Sequence, residues 1–216
     1  MSPSFIVIEG LEGAGKSSAI SQLTSFIANK GHDVICTREP GGTPMSEAIR
    51  ECVKHDWNER VTEETELLLM YAARSQLVEN VIKPALESGT WVIGDRHDWS
   101  TIAYQGGGRG IQLEKLGALR SMTLGNFTPD LSIYLDVEPS IGLQRARGRG
   151  ELDRIELAGL GFFERARTSY KELVATHSNA IEINAMQTMD KVQSDLIEKL
   201  NEWYARTQAD IKVGMG

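Results

Sequence analysis

Near the start of the chain, Gly10-Leu11-Glu12-Gly13-Ala14-Gly15-Lys16-Ser17 follows the pattern G-x-x-x-x-G-K-[ST]. Glycines at these positions let successive backbone N–H groups turn inward on phosphate oxygens, and a helix opening behind them adds positive potential. Lys16 reaches the β- and γ-phosphates, Ser17 offers a hydroxyl to Mg²⁺, and Ser18 carries the loop into the helix. The chemistry is the binding of a nucleoside triphosphate. A glycine turn before an ordinary helix is the bland alternative, and the Lys-Ser pair argues against it.

Other groups suited to phosphate chemistry follow. Arg38 precedes Glu39-Pro40-Gly41-Gly42-Thr43, where proline and paired glycines force a tight, non-helical loop. It is either a phosphate clamp or a surface charge beside a turn. Asp95-Arg96-His97 ends an apolar run. Asp95 there holds a metal-bound water or its neighbouring arginine, and Arg96 is placed to meet a phosphate. Asp136 ends another apolar run and competes with Asp95 for the metal role, with Arg96 favouring Asp95. His97 reads as solvent-facing or cap-bonded. Arg74 falls on the apolar stripe of Leu67, Met70, Leu77, Val78 and Val81. A guanidinium buried there needs an anion, either an internal carboxylate or a substrate phosphate. Tyr104 and Gln105 supply an aromatic face and an amide suited to a base edge, ahead of a glycine turn. Arg145, Arg147 and Arg149 alternate with small residues, and residues at i and i+2 do not share a helix face. They read as a flexible flap that closes over a phosphoryl group, against the alternative of a solvated charge run.

The elements that must hold these groups alternate regularly. Strand-like runs occur at Phe5–Ile8, Val34–Thr37, Trp91–Gly94, Leu131–Leu135 and Ala180–Ile183. Helical spacing occupies Ser18–Asn29, Glu63–Glu87, Leu113–Leu124, Ser140–Arg147, Phe162–Thr176 and Met189–Tyr204. Strands separated by helices imply an α/β fold with a parallel sheet covered on both faces, and ligands beyond the strands' carboxyl ends. The chain has 216 residues, 41% hydrophobic, enough for one domain over 1–206. An excursion at about 145–160 and a frayed tail at 207–216 are expected. A net charge of −7 disfavours nucleic acid as the main partner. Two cysteines, Cys36 and Cys52, exclude a disulfide framework. Cys36 reads as a small core residue. The absence of a basic, apolar leader or a long apolar run points to a reducing cytoplasm with no membrane segment.

Taken together, the motifs resemble thymidylate kinase, a nucleoside-monophosphate kinase family, from Phe5 to about Tyr204. The segments that carry the resemblance are Glu9 to Ser17, Arg38 to Thr43, Asp95-Arg96-His97, Ser100 to Gln105, and Gly150-Glu151-Leu152-Asp153-Arg154-Ile155-Glu156. It implies a P-loop fold with a five-stranded parallel sheet, a short lid at about 145–160, and a homodimer. It also implies transfer from ATP, with Mg²⁺, to dTMP. By resemblance Glu12 approaches the sugar 3′-hydroxyl, and Arg38, Arg74 and Arg96 contact the acceptor phosphate. Thr101 lies on the same dTMP-binding segment, Tyr104 crowds C2′ and Gln105 meets thymine. Gly13 stands where some relatives carry a catalytic arginine; relatives without it carry lid arginines, which assigns the role to Arg149 with Arg147 in support. Met70 departs from the family, which generally has phenylalanine there, stacked on thymine. The rivals are a P-loop kinase for another nucleoside monophosphate or a deoxynucleoside, and a nucleotide switch. The switch lacks support, since Asn29-Lys30-Gly31-His32 has no Asp to complete N-K-x-D.

Overall fold

The computed structural model describes residues 2–148 and 153–214, with side chains to residue 209. Five strands, β1 (Phe5–Gly10), β2 (Val34–Arg38), β3 (Trp91–Asp95), β4 (Leu131–Asp136) and β5 (Ala180–Asn184), form one sheet in the order 2-3-1-4-5. Every neighbouring pair is parallel. All five expected strands are therefore present, and all carboxyl ends share one edge. The helices are α1 (Lys16–Asn29), α2 (Pro44–Lys54), α3 (Glu63–Leu77), α4 (Lys83–Glu87), α5 (Asp98–Thr101), α6 (Leu113–Leu124), α7 (Pro139–Arg147), α8 (Leu160–Thr176) and α9 (Met189–Gly214). Alternate residues of β1 face opposite cores. Ile6 and Ile8 pack in the cluster that includes Leu23, Phe163 and Leu196, whereas Phe5 and Val7 join Leu67, Leu77 and Leu116. A central strand buried on both faces is thus apolar at every position up to Glu9.

Several local expectations change. Pro44–Lys54 is a helix, directly after the expected loop, in a stretch to which the apolar spacing assigned no element. Thr43 caps it by accepting from Ser46 N at 3.1 Å, and Pro44 occupies its first turn, where a missing N–H is harmless. The Glu63–Glu87 segment contains a π-helical turn at Val78–Ile82, just before Pro84, which cannot donate to a helical ladder. Tyr104 and Gln105 sit in a second π-helical stretch, Ile102–Gly108, and do not precede a simple turn. Cys36 is exposed because β2 is an edge strand. Helix α9 runs through residues 207–214, past the expected fraying point. Thr207 Oγ1 donates to Trp203 O, and Ala205, Arg206 and Gln208 are good helix formers without an apolar face.

Arg145 and Arg147 lie in the last turn of α7, so the segment expected as a flexible flap opens with a helical turn. Arg149 lies outside the described residues. Helix α7 sits directly on the phosphate loop: a Cβ on Gly13 would stand 2.2 Å from Gly142 O, and one on Gly142 would stand 2.5 Å from Glu12 O. Gly13 also has φ 71°, a left-handed conformation suited to glycine.

Alanine in a helix interior is favoured over glycine by about 1 kcal/mol, but backbone overlap in a packed contact costs about 1–3 kcal/mol. Gly142→Ala is therefore expected to lower the urea midpoint. An equal or higher midpoint would mean that α7 can back away from the loop freely.

Candidate active site

The phosphate loop leaves β1 at Gly10 and enters α1 at Lys16, two residues earlier than the apolar spacing suggests. Lys16 Nζ folds back onto the carbonyls of Gly10 (3.2 Å) and Leu11 (3.1 Å). Burial, with the nearby Arg96 charge, depresses the Lys16 ammonium to about 8, although Asp95, Glu12 and Glu9 pull it upward. Ser17 is exposed and Ser18 half-buried at the start of the helix.

Beside the loop, Glu12, Arg96 and Tyr104 form one unit. Arg96 Nη2 donates to Glu12 Oε1 at 2.5 Å, Nη1 donates to Gly10 O at 2.9 Å, and Tyr104 Oη donates to Glu12 Oε2 at 2.6 Å. The Arg96 guanidinium lies 5.0 Å from the Tyr104 ring centroid, a cation–π contact. Burial pushes the Glu12 carboxyl up, but Arg96 and Lys16 outweigh it and hold it below the usual carboxylate range. Arg96 is the one non-glycine residue with positive φ (72°) among the described residues. That backbone is held on both sides: Arg96 N donates to Ile8 O at 3.0 Å and His97 N to Glu9 Oε1 at 2.9 Å. Glu9 is buried and also accepts from Ser100 and Tyr170. Strain of this kind persists only where its surroundings over-determine it.

Arg74 is buried, as its place on the apolar stripe requires. Its Nε donates to Glu39 Oε2 at 2.6 Å, Nη2 to His97 O at 2.9 Å, and Nη1 to Asp98 Oδ1 at 3.5 Å. The internal carboxylate is present, and Arg74 also lines a cavity with Arg96, Thr101, Tyr104, Gln105 and Met70. The ionised Glu39 in turn accepts from His97 Nδ1 at 2.6 Å. His97 is thus buried within the ion-pair network, not solvent-facing. Arg38 does not line the cavity. It pairs with Glu47 on α2 at 2.9 Å and is largely exposed, while Arg50 and Lys54 of the same helix do line it. Those two cations escape sequence reading together with their helix, although Thr43-Pro44 is a start signal.

Asp136 accepts from Arg167 at 2.8 and 3.0 Å and from Tyr134 at 2.9 Å, which ties it into a structural ion pair. Asp95 differs: its Oδ1 is buried with no hydrogen-bond partner among the described residues. A second cavity lies across the loop, lined by Gly13, Gly15, Arg145, Ala185, Gln187 and Met189. Arg145 Nη1 donates to Gly13 O and Ala185 O there. Arg147 is exposed at the end of α7. The loop therefore separates two cavities, one cation-rich on the side of Arg74 and Arg96, the other on the side of α9.

A family model described as thymidylate kinase matches residues 8–196. The chain belongs to the thymidylate kinase family. It is 61% identical over 193 residues to a thymidylate kinase of Alteromonas mediterranea, covering 89% of this chain and 87% of that protein. It is 54% identical over 205 residues to a thymidylate kinase of Pseudoalteromonas translucida, covering 95% and 99%. Membership agrees with the P-loop α/β sheet described above. No helix among the described residues is long and apolar enough to cross a membrane.

The depressed Lys16 gives this family member a testable proton linkage. A polyphosphate on the loop favours the charged ammonium and raises its pKa, so binding draws in a proton wherever the free enzyme is partly deprotonated. Calorimetry of ATP binding in buffers of different ionisation heat should show net proton uptake at about pH 8.5 and little from this group at about pH 6.5. Lys16→Met should remove the difference. Uptake equal at both values would contradict it.

Proposed function

We propose that the chain transfers the terminal phosphoryl group of ATP to dTMP, giving dTDP and ADP. The observation that carries this reading is the pairing of two cavities across one phosphate loop in a member of this family. The triphosphate lies along Gly10, Leu11, Glu12, Gly13, Ala14, Gly15, Lys16, Ser17 and Ser18, with its base toward Arg145 and Gln187. The acceptor nucleotide fills the cation-rich cavity. Arg74 and Arg96 stand beside its phosphate, Glu12 meets the sugar, Tyr104 crowds the sugar at C2′, Thr101 lines the same cavity, and Met70 and Gln105 meet the base. Arg38 joins this set only by leaving Glu47. Exposed pairs of that kind contribute about 0–1 kcal/mol, so a phosphate can compete for it.

A nucleoside monophosphate is already anionic near neutral pH, so no strong general base is needed. Catalysis is the alignment of two polyanions and the neutralisation of their repulsion. Lys16 and Arg96 serve from the loop side, and Arg147 and Arg149 from a short lid at about residues 145–160, within a single kinase domain. Mg²⁺ fits Ser17 and Asp95, because the buried Asp95 Oδ1 lacks a protein donor and a metal-bound water would satisfy it. The ion would supply charge neutralisation at the β- and γ-phosphate oxygens. The reading includes a homodimer in a reducing cytoplasm, supported by the free thiols of Cys36 and Cys52 and by exposed Leu68 and Met122 on α3 and α6.

A coupled ADP assay against dTMP, dUMP, CMP, UMP, GMP and thymidine tests the reading, with dTMP expected to turn over best. A preference for another acceptor would replace it with the rival kinases. Lys16→Ala is expected to abolish transfer in a folded protein. Arg149→Ala should lower kcat by roughly 10³-fold; a change confined to KM would reassign the arginine to ground-state binding. Met70→Phe should tighten dTMP, since an aromatic ring offers a stiffer stacking surface than a thioether. An unchanged Kd would mean that this side chain does not touch the base.

A further inference from the structure

Glu66 is a fully buried carboxylate that the chemistry above does not use. It sits on α3 one turn before Met70 and is 1% exposed. Its Oε1 accepts from Gln105 Nε2 at 2.8 Å and from Arg109 Nε at 3.2 Å. Its Oε2 accepts from Arg109 Nη2 at 3.0 Å and stands 2.7 Å from Arg154 Nη2. Burial raises its proton affinity, but the donors of Arg109, Gln105 and Arg154 reverse this and keep it ionised. An ionised carboxylate only accepts hydrogen bonds. Gln105 must therefore turn its NH₂ group to Glu66, and the two ends of its amide are not interchangeable. Gln105 is itself buried and lines the cation-rich cavity. The amide end left for a ligand is the carbonyl oxygen, an acceptor.

We propose that Glu66 is a positioning residue for base selection: it locks the Gln105 amide with its carbonyl toward the cavity, so that the site takes a pyrimidine carrying a donor at N3. The inference rests on the dTMP reading. Thymine and uracil have a single donor on their Watson–Crick edge, N3–H, and a fixed acceptor can meet them only there. Cytosine has a lone pair at N3 and sets it against the Gln105 oxygen. Rejection of this kind is strong, because the mismatched partner leaves two buried acceptors facing each other.

Glutamine at position 66 reverses the lock. Arg109 and Arg154 are donors only and claim its single carbonyl, which leaves its NH₂ toward Gln105 and turns that amide over. The test compares dUMP and dCMP, which differ only at this edge, with dTMP as the reference, by equilibrium binding to the full-length chain and to Glu66→Gln. The ratio of dUMP to dCMP affinity should fall by about ten-fold or more in the variant. Loss of affinity for both in equal proportion would overturn the inference and leave Glu66 a packing residue. If wild type phosphorylates dTMP yet the variant keeps the full ratio, the inference alone fails. If wild type neither binds nor phosphorylates dTMP, the functional reading fails and takes the inference with it. Should Glu66→Gln not fold, the wild-type chain gives the answer with dTMP labelled with ¹⁵N at N3. A slowly exchanging imino proton with a nuclear Overhauser contact to the Gln105 side chain supports the inference, and an imino proton exchanging as in free dTMP overturns it.

Discussion

The site depends on carboxylates that hold guanidinium groups in place before any substrate arrives. Glu12 holds Arg96, Glu39 holds Arg74, and Glu66 holds Arg109 and Arg154. Cations gathered to meet two polyanions repel one another, and in a partly buried cavity that repulsion is poorly screened. Taking such groups out of water costs several kcal/mol per ion unless geometry and extra hydrogen bonds offset it. These pairs meet the condition: their contacts run from 2.5 to 3.0 Å, and each carboxylate has further donors from Tyr104, His97 or Gln105. Such pairs add little net stability. Their value lies in orientation, because a cation fixed beforehand need not reorganise when charge shifts between phosphates.

The backbone enforces the same arrangement. A parallel sheet brings Gly10, Arg38, Asp95 and Asp136 to one edge, with Arg38 in register with Asp95 and Ile8 in register with Asp95 on the other side. Past that edge the chain turns sharply at Arg96, in a conformation an L-residue seldom adopts, and Glu9 clamps the turn through His97 N and Ser100. Glu9 is therefore a structural counterpart to Glu12, three residues apart on the same strand and loop. One fixes the path of the backbone and the other fixes the side chain. Burial pushes the Glu9 carboxyl above its usual range, and the hydrogen bonds from Ser100 and His97 N, with the Arg96 charge, only partly offset this.

Features encoded by contiguous residues were legible in the sequence. The phosphate loop, five strands and the buried place of Arg74 follow from short patterns and one helical stripe. Partners distant in sequence were not legible: Glu39 lies 35 residues from Arg74, and Glu66 lies 43 from Arg109. Helix α2 was hidden by the Pro-Gly-Gly loop before it, and its cations Arg50 and Lys54 went with it. The π-helical stretch at Ile102–Gly108 had no composition signal of its own. Its glycines read as a turn, yet Gly107 and Gly108 are pressed against α8, where a Cβ would meet Arg165 O at 2.9 Å and the Phe162 ring at 2.3 Å. Asp95 and Asp136 both close apolar strands; in the sequence only the adjacent Arg96 favours Asp95, whereas in the fold Arg167 and Tyr134 tie up Asp136 and leave Asp95 Oδ1 without a partner among the described residues.

The overall charge of −7 opposes two anionic nucleotides, so the cavity must work locally. At physiological ionic strength, charges more than about 8 Å apart are largely screened, which removes most of the acidic surface from the balance. Within the cavity lining, Arg50, Lys54, Arg74 and Arg96 face Glu12, Glu39 and Asp153. Three of the cations have carboxylate partners, since Lys54 pairs with Asp153 at 3.1 Å. Arg50 has no such partner among the described residues and donates to the Pro40 carbonyl at 2.8 Å. Burial, with Arg38 and Arg96 close by, pulls its proton affinity down, the direction expected of a cation lacking a counter-ion. Among the four lining cations, Arg50 is the one that a phosphate can meet without displacing a carboxylate. The carboxylates thus act on the electrostatics twice: they fix three cations, and by neutralising them they leave the cavity's unmet positive charge at one place on α2.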